Sequence, residues 1–128
     1  MKVAVAKYSV GQPADFEAFA ARQRLALEEA RRGGAELAVL PEYLSLELAA
    51  TFEPGIRHDF NASLAALQAL QPAWLALYAD LSRELCMTIQ AGTFLTQVGL
   101  DRYRNRAWWF APDGTRDYQD KLQLTGFE

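Results

Sequence analysis

Cysteine and histidine, the side chains that supply most thiol and metal chemistry, are almost missing from this sequence. Its 128 residues include one of each, Cys86 and His58. A single cysteine excludes an internal disulfide and a cysteine-based metal cluster, and its scarcity favours the reducing cytoplasm. A Ser-His-Asp or Cys-His site would have to depend on His58, and a lone loop histidine is usually just solvated.

Positive charge is not in excess either. Thirteen Lys and Arg residues face sixteen Asp and Glu residues, which gives a net charge of -3, and the basic residues are scattered along the chain. Because a nucleic-acid-binding surface needs a concentrated basic stripe, we expect no nucleic-acid partner.

Long apolar runs that could cross a membrane or direct export are also missing. Lys2 and Lys7 interrupt a short alternating apolar stretch with no cleavage region after it, which predicts a strand rather than a signal peptide. Residues 60–79 are twenty residues without a charge. A bilayer span there would bury several polar side chains without partners, namely Asn61, Ser63, Gln68 and Gln71. We therefore expect a soluble pair of helices and no membrane partner.

The composition that remains is typical of a folded protein. Hydrophobic residues make up 51% and charged residues 23%, close to the averages for soluble globular domains. A chain of this length buries roughly two thirds of the surface that its unfolded form exposes. Because we find no internal repeat and no linker, we expect residues 1–128 to form a single α/β unit.

Strand and helix patterns alternate along the chain. Period-two alternation predicts strands, and apolar spacing of 3.6 residues predicts helices. The predicted order is a strand at residues 3–8, a helix at 14–32 ended by two glycines, a buried strand at 37–40, irregular structure at 43–59, helices at 61–70 and 72–85, strands at 87–93 and 103–110, a hairpin turn at 112–115 and a strand at 116–119. This order predicts helices packed on one face of a mixed sheet.

Several side chains have predicted places in these elements. Asn61 or Ser63 is the predicted cap of the second helix. The third helix is expected to bury a stripe of Leu75, Tyr78, Leu81 and Leu85. The tryptophans are expected to pack in the core or at a subunit interface, namely Trp74, Trp108 and Trp109.

Two charged residues follow predicted strands. Pro41 ends the buried strand because it has no N–H to donate, which delivers Glu42 to the carboxyl edge, where ligands of α/β sheets bind. A carboxylate partly removed from water there is suited to proton transfer, but Glu42 can equally be an exposed loop acid. Lys121 follows the last predicted strand, where it either stabilises a developing oxyanion or is simply solvated. From each residue alone, both alternatives stay open.

Taken together, these segments resemble the nitrilase, or carbon-nitrogen hydrolase, superfamily. An apolar strand closes on Glu42, a segment ending at Asn105 leads through a strand into a Pro-Asp-Gly turn, and Tyr118 then shortly precedes Lys121. The ordered set is fairly specific and covers nearly the whole chain. The resemblance implies the N-terminal half of an α-β-β-α sandwich, with the second sheet contributed by the other half.

The resemblance also implies a Glu-Lys-Cys site. Glu42 matches the family's general base, Lys121 its oxyanion-stabilising lysine, and Glu128 a second glutamate that helps to position the site or the substrate. The family's nucleophilic cysteine lies some tens of residues beyond the lysine, whereas seven residues follow Lys121 here. Cys86 precedes Lys121 between a predicted helix and an apolar strand, which predicts a buried core thiol. We therefore expect residues 1–128 to be an incomplete domain, inactive alone.

The implied chemistry is cleavage of a non-peptide C–N bond. A carboxylate takes the proton of a thiol, the thiolate attacks an amide, carbamoyl or nitrile carbon, and a lysine ammonium offsets the charge that builds there. Water then hydrolyses the thioester. The resemblance implies no cofactor and no metal, a small-molecule amide or nitrile substrate, and a homo-oligomeric full-length enzyme in the cytoplasm.

Two other interpretations stay open. A non-catalytic α/β binding or assembly module could keep this fold without a thiol. It would fold cooperatively and be monodisperse, whereas a severed half-sandwich would expose a sheet edge and self-associate. A split enzyme could instead take its thiol from a second chain.

Overall fold

One mixed sheet organises the computed structural model, which describes residues 1–124. Its strands lie in sequence order: β1 (Val3–Val5), β2 (Leu37–Val39), β3 (Thr88–Gly99), β4 (Arg102–Phe110) and β5 (Arg116–Asp120). The first three strands are parallel, and β4 and β5 are added as antiparallel neighbours. The carboxyl ends of β1 and β2 therefore point to one edge of the sheet.

In the described part of the chain, four α-helices connect or flank these strands. They are α1 (Phe16–Arg32), α2 (Pro54–Arg57), α3 (Phe60–Leu67) and α4 (Gln71–Leu85), with 3-10 helices at Leu44–Thr51 and Gln68–Leu70. Helix α1 begins at Asp15, whose carboxylate accepts the N–H of Ala18 at 2.8 Å. Among residues 1–124, no helix is long and apolar enough to cross a membrane.

The two faces of the sheet differ sharply in burial. One row of paired residues runs through Ala38, Ile89 and Phe110, all at most 3% exposed. The neighbouring row, on the opposite face, includes Val5 and Trp109, which are 75% and 43% exposed. Side chains of α1 and α4 cover the first row, namely Phe19, Leu27, Trp74, Tyr78 and Leu81. The predicted α/β fold with helices on one face of a mixed sheet is therefore confirmed.

Trp74 is the largest fully buried side chain of this core. Its ring centroid lies 4.9 Å from that of Tyr78 and 5.2 Å from that of Phe94. Burial of one large apolar side chain contributes about 1.5–3 kcal/mol, so this cluster is a main attachment of α4 to the sheet. The expectation of a core position is correct for Trp74, whereas Trp109 lies half-exposed on the uncovered face.

The segment predicted to be irregular, residues 43–59, is mostly helical. It contains the 3-10 helix Leu44–Thr51 and the short helix α2. The predicted caps of the following helix are also wrong, because Asp59 accepts the N–H of Ala62 at 3.0 Å. Ser63 instead donates to the carbonyl of Ile56 at 2.9 Å. Helix α3 therefore starts earlier than the apolar spacing predicted, since its cap lies in the preceding turn.

Two predictions around α4 need correction. Its buried face contains Trp74 and Ser82 beside the predicted Tyr78 and Leu81, while Leu75 and Leu85 are only partly buried. Cys86 is exposed rather than part of the core. The physical reason is that Cys86 ends the helix in a left-handed conformation, with φ of 49°. This turn directs the next residue, the fully buried Met87, into the core instead.

A polar network ties the segment after β1 to both long helices. Gln23 of α1 donates to the hydroxyl of Tyr8 at 2.9 Å and accepts from the hydroxyl of Tyr78 at 2.9 Å. The buried carboxylate of Glu47 accepts the N–H of Gly11 at 3.2 Å. The same carboxylate also pairs with Arg22 at 3.3 Å. The loop that leaves β1 is therefore anchored at Tyr8 and at Gly11.

Candidate active site

Glu42 lies at the carboxyl edge of the sheet because β2 ends three residues earlier. Pro41 follows the strand and crosses close to β3 at Gly92, where the regular register of β3 and β4 is interrupted. A Cβ on Gly92 would lie 2.1 Å from the carbonyl oxygen of Pro41, and Gly92 has φ of +70°. Only glycine tolerates both conditions. This close crossing lets the Glu42 side chain reach past β3 toward β4.

Tyr43 holds the other side of Glu42. Its backbone is left-handed, with φ of 63°, a conformation that costs a non-glycine residue about 1–2 kcal/mol. The Tyr43 N–H donates to the hydroxyl of Thr93 on β3 at 2.7 Å. Glu42 is therefore fixed between two backbone contacts with the same strand.

Lys121 and Asn105 face each other across β4 and β5. The pairing of Arg106 with Asp120 is reinforced by two hydrogen bonds, at 2.7 and 3.2 Å. One residue further, the N–H of Lys121 donates to the carbonyl of Asn105 at 2.9 Å. Residues that are opposite in an antiparallel pair lie on the same face. Both side chains therefore lie on the face opposite α1 and α4.

Glu42, Asn105 and Lys121 meet at one carboxylate oxygen. The amide Nδ2 of Asn105 donates to Oε1 of Glu42 at 2.6 Å. The ammonium Nζ of Lys121 donates to the same oxygen at 3.1 Å. Within the part of the chain that the structure describes, no hydrogen bond falls on Oε2 of Glu42. One oxygen of the carboxylate is thus held by two donors.

The three side chains differ in exposure. Asn105 is 1% exposed, whereas the side chains of Glu42 and Lys121 are 47% and 29% exposed. The expected removal of Glu42 from water is therefore only partial. A pair this exposed adds about 0–1 kcal/mol to stability because water screens it. The contact is more informative about geometry than about stability, since it joins residues far apart in sequence.

A cavity of about 320 Å³ opens beside this cluster. Besides the three residues above, its lining includes Gln90, Thr93 and Gln119. A larger space of about 490 Å³ lies along β1 and α1, but its lining lacks such a cluster of bonded polar side chains. Chemistry rather than size therefore marks the smaller cavity as the candidate active site. Among residues 1–124, no group of three His, Cys, Asp or Glu side chains could hold a metal ion.

The structure places only some of the site residues expected from the sequence at this cavity. The structure brings Glu42 and Lys121 into contact, and Glu128 lies outside the described residues. His58 is exposed in the turn before α3. Cys86 precedes the start of β3, so it lies at the opposite edge of the parallel strands from Glu42. A nucleophilic role for Cys86 at this cavity is therefore incompatible with the topology.

Asn105 and Gly92 are the site residues to which the sequence assigned no role. Asn105 belongs to the segment that carries the family resemblance, but its contact with Glu42 spans 63 residues. Gly92 interrupts an apolar strand, and a glycine within a strand often marks a bulge or a close backbone approach. That signal could have found Gly92, whereas no local pattern identifies the partner of Asn105.

The fold and site define an α/β protein with a carboxylate and an ammonium in contact at the edge of its sheet. The sequence profile of the carbon-nitrogen hydrolase family matches residues 2–127, so the chain belongs to that family. This match confirms the resemblance inferred from the sequence. A search of curated proteins found no match.

Solved structures of this family share the fold. A carbon-nitrogen hydrolase from Helicobacter pylori G27 superposes with a TM-score of 0.72 at 16% identity, over 98% of this chain and 41% of its own. A CN-hydrolase superfamily protein from Xanthomonas campestris gives 0.68 at 20% identity, over 98% and 42%. An amidase of the nitrilase superfamily from Nesterenkonia, studied as a mutant, gives 0.63 at 16% identity, over 97% and 44%. The chain thus spans less than half the length of these proteins.

Proposed function

We propose that this chain supplies the general base and the oxyanion-stabilising lysine of a carbon-nitrogen hydrolase. Its substrate would be a small-molecule amide, carbamoyl compound or nitrile. The observation that carries the proposal is the contact between Glu42 and Lys121, 3.1 Å apart although 79 residues separate them. A carboxylate and an ammonium this close can both touch one small substrate in the adjoining cavity.

In this mechanism Glu42 transfers protons and Lys121 stabilises charge. Glu42 accepts the proton of a thiol, and the sulfur forms a bond to the substrate carbon while electrons move to its oxygen or nitrogen. The ammonium of Lys121 stabilises the charge that collects there. Glu42 returns the proton to the departing nitrogen of an amide, and the carbon keeps its bond to sulfur. Water attacks the thioester while Glu42 takes one of its protons, the C–S bond breaks to release the acid, and Glu42 returns the proton to the sulfur. A nitrile needs one more water, which adds to its thioimidate and releases ammonia to give the same thioester.

The thiol comes from outside these 128 residues in this proposal. Cys86, the single cysteine of the chain, lies at the wrong edge of the sheet. The Nesterenkonia amidase has an active-site cysteine to which acrylamide adds, and this chain spans 45% of that protein. We also propose that Glu128 is a second glutamate that positions the site or the substrate.

The remaining proposals concern the complete protein. Residues 1–128 would be one incomplete domain whose uncovered sheet face is closed by further polypeptide, giving the sandwich. The complete protein would be a homo-oligomer in the cytoplasm. It would need no cofactor, because the carboxylate, ammonium and thiol together supply every proton and charge that the steps above require.

The direct test uses the complete coding sequence that contains these 128 codons. With a panel of small amides and nitriles and a measurement of ammonia release, Glu42→Gln and Lys121→Met should each lower kcat by about a thousandfold or more. Glu36→Gln and Lys7→Met change the same residue types at exposed positions and should leave kcat within about twofold. The 128 residues expressed alone should release no ammonia.

Two results would overturn this function. Retained activity in Glu42→Gln would remove the general base from the mechanism. A complete coding sequence without any cysteine besides Cys86 would favour the non-catalytic module instead.

A further inference from the structure

We propose that Asn105 is a positioning residue that orients the Glu42 carboxylate so that Oε2 accepts the thiol proton. The inference rests on the proposed function and goes beyond it by assigning separate tasks to the two carboxylate oxygens. Asn105 and Lys121 both donate to Oε1. Oε2 receives no hydrogen bond from the described residues and is therefore the oxygen that can take a proton.

The position of Asn105 is fixed by strand pairing and by burial. It lies in β4 opposite Leu95 of β3, and its carbonyl is bonded to the N–H of Lys121 on β5. Its side chain is at most 1% exposed. Glu42, by contrast, lies outside any strand with 47% of its side chain exposed. The buried Asn105 side chain therefore orients the more exposed carboxylate of Glu42.

Lys121 alone cannot perform this task during the reaction. Its ammonium sits on a flexible four-carbon stem, and the proposed chemistry needs its charge at the substrate when the thiolate attacks. If Lys121 moves toward the substrate, its bond to Oε1 weakens. The bond from Asn105 then keeps the carboxylate in place while the proton is transferred.

An asparagine is chemically suited to this role. Its amide donates a hydrogen bond without carrying a charge, so it orients the carboxylate without competing with Lys121 for the developing negative charge. A second cation in this place would form an ion pair that opposes protonation of Glu42. The neutral donor therefore leaves Glu42 able to accept a proton.

The test compares Asn105→Asp and Asn105→Ser in the complete enzyme. The aspartate has the size of asparagine but lacks the donor and adds a like charge, and the serine is too short to reach Oε1. We expect kcat to fall about a hundredfold in both, because misplacing a catalytic group by about 1 Å has an effect of that order. KM should stay within about threefold. Asn61→Asp, the same change on the exposed surface of α3, should leave kcat unchanged.

A second measurement separates positioning from a merely structural role. In a Glu42→Gln enzyme, the further change Asn105→Asp should lower the residual rate by less than about threefold, because residues that act through one another are not additive. Ser82→Ala removes buried hydrogen bonds far from the cavity. It should lower the melting temperature without this dependence on Glu42, which controls for lost stability.

The possible outcomes are distinguishable. If Glu42→Gln abolishes turnover but both Asn105 variants keep wild-type kcat, this inference is wrong and the proposed function stands. An equal loss in the presence and absence of Glu42 would also overturn it. If one Asn105 variant does not fold at the assay temperature, the other decides. If Glu42→Gln itself remains active, the proposed function fails first.

Discussion

Two residues beside Glu42 adopt backbone conformations that few side chains tolerate. Tyr43 is left-handed, and Gly92 combines a positive φ with a close approach of the Pro41 carbonyl. Such conformations persist only when surrounding contacts hold them. Here the contact between Tyr43 and Thr93 and the absence of a side chain at Gly92 both serve to place Glu42. The site therefore depends on residues that perform no chemistry.

We expect Gly92→Ala to lower the free energy of unfolding by about 2–4 kcal/mol. The added Cβ would have both a strained φ and a clash with the backbone oxygen of Pro41, each of which costs about 1–3 kcal/mol. Urea titration followed by circular dichroism measures this change. In an active enzyme, kcat should fall as well, since Pro41 carries Glu42.

Gly55 offers the matched control. It lies in α2, and a Cβ there would meet no atom within 4 Å. Gly55→Ala should be neutral or stabilise by up to about 1 kcal/mol. If Gly92→Ala left the free energy of unfolding equally unchanged, the close approach of the Pro41 carbonyl to Gly92 would be wrong.

Several elements are joined by the network of Tyr8, Gln23, Glu47 and Tyr78. It links the segment after β1, helix α1, the 3-10 helix Leu44–Thr51 and helix α4. Burial and then the Glu47 carboxylate raise the pKa of Tyr8 to about 12, against a smaller lowering by Arg22. Burial raises the pKa of Tyr78 well above its usual value. The folded chain therefore keeps these phenols protonated.

Stability should consequently decrease at alkaline pH. The folded pKa of Tyr8 is about 12, and an unfolded tyrosine has a pKa of about 10. The Tyr8 contribution is thus fully present below about pH 10 and is lost as pH rises toward 12, because the folded state then binds more protons. We expect a loss of about 1 kcal/mol, less than the full linkage value because water partly screens this side chain.

The measurement is the free energy of unfolding at pH 9, 10 and 11. Tyr8→Phe should reduce the alkaline decrease, since it removes one titrating phenol from the network. Tyr118→Phe removes a half-exposed phenol on β5 and should leave the wild-type slope unchanged. If the free energy of unfolding changed with pH identically in all three proteins, the Tyr8 phenol would not contribute to the alkaline loss of stability.

Across the molecule as a whole, one face of the sheet is packed against α1 and α4, and the opposite face leaves apolar side chains of β1 exposed. Val3 and Val5 are 47% and 75% exposed, and both lie on β1. In the described part of the chain, β1 pairs only with β2, so its outer edge has unpaired backbone groups. Exposed apolar strands at a sheet edge readily associate with other chains. The 128 residues alone should therefore self-associate.

Sedimentation velocity tests this expectation at tens of micromolar protein. The chain should sediment above its monomer mass of 14.3 kDa, and Val5→Lys should shift it toward the monomer by placing a charge on the edge strand. Leu25→Lys is the control, because Leu25 is 65% exposed on α1 rather than on the sheet. A monodisperse wild-type monomer would instead favour the self-sufficient module.

Local patterns in the sequence were sufficient for most of the architecture. Alternation and helical spacing identified the strands and the long helices, because each depends on neighbours two to four residues away. The incorrect predictions arise because a pattern over neighbouring residues does not record turn geometry or how a helix ends. The helix inside residues 43–59 and the cap at Asp59 depend on turn geometry, and the exposure of Cys86 depends on a left-handed helix end.

By itself, the sequence determined the order of the strands and the long helices, the family, and Glu42 and Lys121 as candidates. Only the tertiary structure decided that these two side chains touch, that Asn105 holds the same oxygen, and that Cys86 lies at the opposite edge. The reason is physical: these contacts join residues 63 and 79 positions apart. They exist only because the sheet register and the crossing at Gly92 bring β2, β4 and β5 to one cavity.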